Sequence, residues 1–278
     1  MILVTGATGN VGRELVPLLA AGGTPVRALV RDSKVASDAR IEWVKGDLER
    51  PETLVSAMKG IEGVYTVSPM TEQIAHLISA AKTAGVRHFV KQSTIEADRS
   101  LGPGKWHREQ ELMIERSGMD WTFLRPTLMM SNVIQWWGHT IETQGRVYFP
   151  GGNGKAAPVD PRDIAVLACA VLTQPGHVGR TYDVTGPELL SAREMVQVLS
   201  KVLQKRIQYV RTPIFVAALA MRRFGASWEL TDAIKETFGA WDRNEYASVS
   251  DAVERVTGIK PRTFEVWCRD HHSSFVRE

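Results

Sequence analysis

The residues best placed to do chemistry are three glycines, Gly6, Gly9 and Gly12, in the run Gly6-Ala7-Thr8-Gly9-Asn10-Val11-Gly12. The first permits a tight turn out of a strand, the second removes the Cβ that would hold off a pyrophosphate, and the third lets a helix pack closely on the sheet. An apolar stretch at 2–5 that reads as a strand precedes the run, and helical periodicity over 10–21 follows. A helix starting there presents unpaired N–H donors and a partial positive charge to phosphate groups. The spacing therefore predicts a dinucleotide site, with Thr8, Asn10 and Val11 carried in the same turn.

About twenty residues further on, a carboxylate suits a ribose 2′-hydroxyl, whereas an arginine suits a 2′-phosphate. The second strand ends Ala28-Leu29-Val30-Arg31-Asp32-Ser33-Lys34, so Arg31 leaves it directly and Lys34 adds a second cation. A guanidinium forks onto a phosphate that a carboxylate would repel, which favours NADP(H). Asp32 is the competing acid in this stretch. Asp47, with Leu48 after it at the end of the third strand, either meets an adenine amino group or caps a turn. Val67, Ser68 and Pro69 end the fourth strand, and ligands gather outside the carboxyl ends of parallel strands.

These positions need a scaffold of alternating strands and helices. Strand patterns at 2–5, 26–30, 41–44, 63–67, 87–91 and 121–124 alternate with helical patterns at 10–21, 51–58, 74–84 and 106–117. Strands joined by such crossovers form a parallel sheet, so the expected fold is α/β, a doubly wound parallel sheet of the Rossmann kind. After Pro126 the rhythm breaks. Residues 145–158 read as a Gly- and Pro-rich loop, and helical patterns at 162–172, 192–203, 214–224, 230–238 and 249–256 enclose one strand, 180–184. The expected organisation is a nucleotide-binding domain over 1–150, to which some later segments return, and a small, mostly helical substrate lobe over 151–278.

Of 278 residues, 44% are hydrophobic and 23% charged; with a net charge of +3 and no basic run, neither nucleic acid nor an anionic membrane is the expected partner. Cys169 and Cys268 stand alone, which argues against a disulfide framework or a metal cluster. The apolar stretch 214–221 is far too short to span a bilayer, and a strand directly after Met1 leaves no room for a signal peptide. The expected location is the cytoplasm.

Taken in order, several segments resemble the atypical short-chain dehydrogenase/reductases, in their NmrA-like branch. They are Thr5 to Gly12, Leu29-Val30-Arg31-Asp32, Lys45-Gly46-Asp47-Leu48, Ala84 to Val90, Ser93, Trp106-His107, Glu111, Ser117 to Pro126, and the stretches 159–165, 182–187 and 257–264. The resemblance covers nearly the full length. It implies NADP(H) on the sheet, a C-terminal substrate lobe, and reduction of quinones, ketones, enones or imines. The family also contains nucleotide-binding regulators without known chemistry. The resemblance further implies that Pro126, Thr127 and Leu128 pass beside the nicotinamide carboxamide, with the N–H of Thr127 or Leu128 as the contact.

The pattern departs from the family at its catalytic pair, a Tyr followed four residues later by a Lys. Counted back from Glu111, these positions fall on Pro103 and His107, and no Tyr occurs between Tyr65 and Tyr148. His107 either orients the nicotinamide ribose, donates a proton, or caps or stacks beside Trp106. Ser93 either hydrogen-bonds a carbonyl or caps a turn, Thr94 is a weaker substitute, and Lys105 reads as a solvated cation. Met129, Met130, Trp136 and Trp137 read as the roof of a wide apolar pocket or as packing between lobe and sheet, with Asn132 and His139 as polar points. Asp160 and Asp163 read as helix caps.

A positioned acid contributes about 10²–10⁴-fold, so a conjugated acceptor tolerates its loss. The leading expectation is an NADPH-dependent reductase of a conjugated or aromatic carbonyl, quinone or imine, with a hydrophobic aromatic small molecule as substrate. An accessory ketoreductase of aromatic secondary metabolism is one version. The alternative is a non-catalytic regulator that senses NADP(H).

Overall fold

The computed structural model describes residues 1–31, 40–223 and 225–275; Asp32, Ser33 and Lys34 of the expected phosphate-binding stretch, and Phe224, lie outside the described residues. In chain order the first half runs β1 (Ile2–Val4), α1 (Gly12–Ala21), β2 (Val26–Val30), β3 (Ile41–Lys45), α2 (Leu54–Ala57), β4 (Gly63–Thr66), α3 (Thr71–Ala84), β5 (His88–Gln92), α4 (Gly104–Glu115) and β6 (Asp120–Pro126). The second runs α5 (Asn132–Gln144), β7 (Arg146–Phe149), β8 (Lys155–Ala156), α6 (Pro161–Thr173), β9 (Arg180–Val184), β10 (Leu190–Ser191), α7 (Ala192–Val202), β11 (Gln208–Arg211), α8 (Ile214–Arg223), α9 (Trp228–Asp242), α10 (Ala252–Thr257) and α11 (Phe264–Asp270).

Seven strands form one sheet in the order β3-β2-β1-β4-β5-β6-β9, and every neighbouring pair is parallel. The alternation of side chains along each strand builds two cores. Val4, Ala28, Tyr65, Val90 and Leu124 pack with Leu15 and Leu19 of α1 and with Ile164 and Leu167 of α6. Their neighbours Leu3, Leu29, Val64, Phe89 and Phe123 pack on the other face with Ile74 and Leu77 of α3 and Ile114 of α4. The order turns outward in both directions from β1 and β4. The residues that leave these two strands, Gly6 and Val67 to Pro69, thus flank the crevice where such sheets bind ligands.

The strand at 180–184, expected within the helical lobe, instead extends the sheet. It pairs with β6 from Thr122↔Arg180 to Pro126↔Val184. The stretch 145–158, expected as loop, carries β7 and β8, which pair with β11 and β10. Their partners lie far along the chain, so local composition held no sign of them. Helices α5 and α11 are likewise additions to the expected set. Helix α5 buries Val133, Trp137 and Ile141 in a separate core with Phe149, Met195, Leu199, Trp241 and Trp267.

Asp160 caps α6, accepting from the Arg162 N–H at 2.8 Å. Asp163 does something else: buried, it accepts from the Arg262 N–H at 2.7 Å and from that residue's guanidinium, tying α6 to the segment ahead of α11. Among the described residues no helix is long and apolar enough to cross a membrane.

Candidate active site

At the end of β1 the chain turns at Gly6 with φ +64°, and a Cβ there would lie 2.7 Å from Val67 Cγ2. The Gly9 N–H donates to the Gly6 carbonyl at 2.9 Å and closes the turn. Helix α1 begins at Gly12, two residues later than its periodicity suggested. A Cβ on Gly12 would fall 2.1 Å from the Gly6 carbonyl oxygen and 2.7 Å from Ala7 Cα. The third glycine is therefore demanded by the turn folding back on the helix start, rather than by the sheet. Gly6, Thr8 and Gly9 are exposed, Asn10 is half-buried and Val11 belongs to the core. Among the described residues no group accepts from the amides of Asn10, Val11 or Gly12. The result is a turn of open backbone N–H groups with no room for a Cβ at Gly6 or Gly12.

Arg31 is exposed at the end of β2 and lines a hollow of about 480 Å³ with Lys45, Gly46, Asp47 and Arg50. Arg50 was not singled out from the sequence, because nothing in Leu48-Glu49-Arg50 marks it. Asp47 Oδ1 accepts from the Glu49 N–H at 3.0 Å, so this carboxylate caps its own turn. The Leu48 carbonyl accepts from His76 Nδ1 at 2.7 Å. The segment after β4 is pinned from two sides. The Ser68 carbonyl accepts from Lys91 Nζ at 3.1 Å, and the Pro69 carbonyl accepts from Gln110 Nε2 of α4 at 2.7 Å.

Lys91 is the unexpected member of this region, a lysine fully buried on β5 beyond Phe89 and Val90. Its Nζ donates to the carbonyls of Ser68 and Gln92 at 3.1 and 3.2 Å. Burial pushes its pKa down to about 7, against the upward pull of the Glu111 carboxylate. The turn after β5 and helix α4 also carry buried orphans: Ser93 Oγ, His107 Nδ1 and Gln110 Oε1 have no hydrogen-bond partner among the described residues. Burial, reinforced by the Lys91 cation, pushes the His107 pKa down to about 3. At neutral pH His107 is an uncharged imidazole, which fits an orienting role and not that of an imidazolium donor.

Beyond β6 the Thr127 N–H donates to the Val184 carbonyl at 3.0 Å, and its hydroxyl donates to the Ala157 carbonyl. That occupies the Thr127 amide. The Leu128 amide has no acceptor among the described residues. Thr127 and Leu128 line a cavity of about 200 Å³ together with Asn132 and Trp136 of α5 and Phe238 and Trp241 of α9.

Of the four residues expected to roof a pocket, Trp136 lines this cavity, stacked on Phe149 at 5.6 Å between ring centroids. Met130 and Trp137 are buried in the lobe core, and Met129 packs against the sheet with its sulfur 3.8 Å from Gln92 Nε2. His139 is exposed on α5, and Lys105 is exposed and paired with Glu236 at 2.8 Å. Neither Ser93 nor His107 lines the cavity among the described residues, whereas Thr94 does. Glu96 also lines it, accepting from Thr237 Oγ1 at 2.7 Å and from the Tyr246 phenol at 3.1 Å. Sequence reasoning missed this group because its members come from distant segments.

The family model described as the NmrA-like family matches residues 1–267. The chain is 39% identical to the NAD(P)H azoreductase of Xenophilus azovorans over 99% of each chain. It is 37% identical to the (4-alkanoyl-5-oxo-2,5-dihydrofuran-3-yl)methyl phosphate reductase of Streptomyces griseus over 100% of each. Its fold matches the crystal structure of the NADPH-dependent quinone oxidoreductase of Escherichia coli complexed with NADPH. The TM-score is 0.84 at 25% identity, covering 98% of this chain and 99% of that one.

Proposed function

We infer, for a chain that belongs to the NmrA-like family, that it is an NADP(H)-dependent reductase of flat, conjugated acceptors: quinones, azo compounds, imines or aromatic carbonyls. The observation that carries this reading is where the apolar cavity lies. It is lined by Thr127 and Leu128, which follow directly on β6, at the same carboxyl end of the sheet as the glycine turn.

Three features support the fit of the dinucleotide. The bare amides of the glycine turn suit a pyrophosphate, and the cations Arg31, Lys45 and Arg50 suit a phosphate on the adenosine ribose. The orphans Ser93 Oγ and His107 Nδ1 are buried polar atoms of the kind that sugar hydroxyls satisfy. When bound, the nicotinamide supplies a hydride; the protein's own task is to hold the acceptor, exclude water and stabilise developing charge. Trp136, Phe238 and Trp241 present aromatic surface for a flat acceptor, and the Leu128 amide is the donor left free beside it.

An open cavity at this place supports catalysis over a purely regulatory, nucleotide-sensing role. The test is fluorescence titration of the purified protein with NADPH and NADH, followed by NADPH oxidation assays with menadione and methyl red. Tighter binding of NADPH and turnover of an acceptor are expected. Tight NADPH binding without turnover of either acceptor would favour the regulator.

A further inference from the structure

We propose that Glu96, held by Tyr246 and Thr237, is the group that hands a proton to the acceptor as it is reduced, an assignment that rests on the reductase reading above. Helix α4 has no tyrosine, yet the tertiary structure brings one in from the far end of the chain. Tyr246 donates to Glu96 across 150 residues of sequence, and Thr237 does so across 141. All three side chains line the cavity that also contains Leu128 and Trp136.

The seat of Glu96 is built rather than incidental. Gly102 turns at φ +50°, and a Cβ there would lie 2.5 Å from Thr237 Oγ1 and 2.7 Å from the Ala233 carbonyl oxygen. A Cβ on Gly104 would lie 2.3 Å from the Glu96 carbonyl carbon. The turn between these glycines is thus wedged between Glu96 and α9, where no side chain fits. Both hydroxyls donate to Oε1, which leaves Oε2 to carry the carboxyl proton.

The surroundings favour the protonated form. Burial raises the Glu96 pKa, outweighing the hydrogen bonds from Thr237 and Tyr246 that pull it down. Burial first, then the Glu96 carboxylate, pushes the Tyr246 phenol far above its ordinary range, so it stays a donor. The other charges near Tyr246 are Glu245 and Arg99, which face each other at 3.7 Å.

The step balances. Two electrons arrive as hydride from NADPH at one end of the acceptor's π system, one oxygen of a quinone or one atom of a ketone C=O, N=N or C=N bond, and the displaced pair moves to the other end, the second quinone oxygen or the bond's other atom. That atom takes the proton from Glu96 Oε2, whose O–H bond breaks. The carboxylate that remains is held by the Tyr246 and Thr237 hydroxyls until solvent returns a proton.

Glu96→Gln keeps the shape and the acceptor of both hydroxyls but has no acidic proton. With menadione or methyl red, whichever the wild type reduces, kcat is expected to fall about 100-fold or more while the NADPH Kd stays within about twofold. The infrared band of the Glu96 carboxyl is expected to persist to higher pH than that of an exposed glutamate, because burial raises its pKa, and to be lost in Glu96→Gln. Tyr246→Phe, which removes one donor to the carboxylate, is expected to lower kcat about tenfold. Turnover by folded Glu96→Gln within about threefold of wild type would overturn the assignment, as would persistence of the carboxyl band. A wild type that binds NADPH but reduces neither acceptor would instead sink the reductase reading itself.

Discussion

The Glu111 carboxylate on α4 and the Arg125 guanidinium on β6 meet through two parallel hydrogen bonds, Nε to Oε1 at 3.0 Å and Nη2 to Oε2 at 2.8 Å. The Glu111 side chain is closed to water and that of Arg125 is 10% exposed. Arg108 reaches Glu111 at 3.1 Å, and Arg125 also holds Asp98 at 2.9 Å. The pair fastens the helix that carries His107 to the strand that leads into Thr127 and Leu128. Arg125→Met would leave a buried carboxylate with only the partly exposed Arg108. The expected cost in denaturant unfolding is about 3–5 kcal/mol. An unchanged unfolding midpoint would show that the ion pair holds nothing together.

Arg31 opens into a hollow shared with Lys45 and Arg50. If that hollow takes a 2′-phosphate, Arg31→Ala weakens NADPH by about 10- to 100-fold and leaves NADH nearly unchanged. Titration of the variant with both nucleotides distinguishes this from a surface role, for which the two losses would be equal.

Gly12 is the tightest point of the glycine turn. Because an added Cβ would overlap the Gly6 carbonyl at 2.1 Å, Gly12→Ala must push helix and turn apart. Binding of either dinucleotide is expected to fall more than about tenfold, or 1.4 kcal/mol, in protein whose circular dichroism shows a native fold. Undiminished affinity would mean that the turn is not where the phosphates dock.

Lys91 titrates near 7 in the folded chain and at about 10.4 when unfolded. Between these values the unfolded state binds the extra proton, so burial of Lys91 costs less as pH rises through the window. Below the lower value the cost is constant. Lys91→Met is therefore expected to be more thermostable than wild type relative to its own packing cost near neutral pH, with the difference shrinking toward pH 10. A difference that stayed flat or widened over that range would contradict a buried, proton-shedding lysine.

For His107, a pKa pushed down to about 3 means a neutral ring at and well below neutral pH. Its ring nitrogens should keep the resonances of a neutral imidazole down to about pH 5, with only a small through-space shift as Lys91 titrates near 7, and an imidazolium signature at about pH 5 would restore it as a candidate acid. His107→Gln separates the roles further. An orienting ring predicts a weaker NADPH affinity, whereas a proton donor predicts a loss in kcat alone.

What the sequence alone determined is what is local. The turn at Gly6 to Gly12, the alternation of strand and helix, and Arg31 at the end of β2 are each written within a few consecutive residues. Backbone sterics and side-chain periodicity act at that range, so these features were legible.

Tertiary structure decided the rest. Trp136 and Trp137 are neighbours, and one step along a helix turns a side chain by about 100°. Only the packing of α5 against Phe149 and Trp241 sends the first to the cavity and the second into the core. The strand at 180–184 could be seen as a strand, but its place beside β6 required a long-range parallel pairing. Nothing in the sequence singled out Lys91, which the fold buries completely. The Glu96, Thr237 and Tyr246 group exists only because α9 and the segment after it fold back onto the end of β5. Hydrogen bonds between residues more than a hundred positions apart leave no periodicity behind, so chain order alone holds no trace of them.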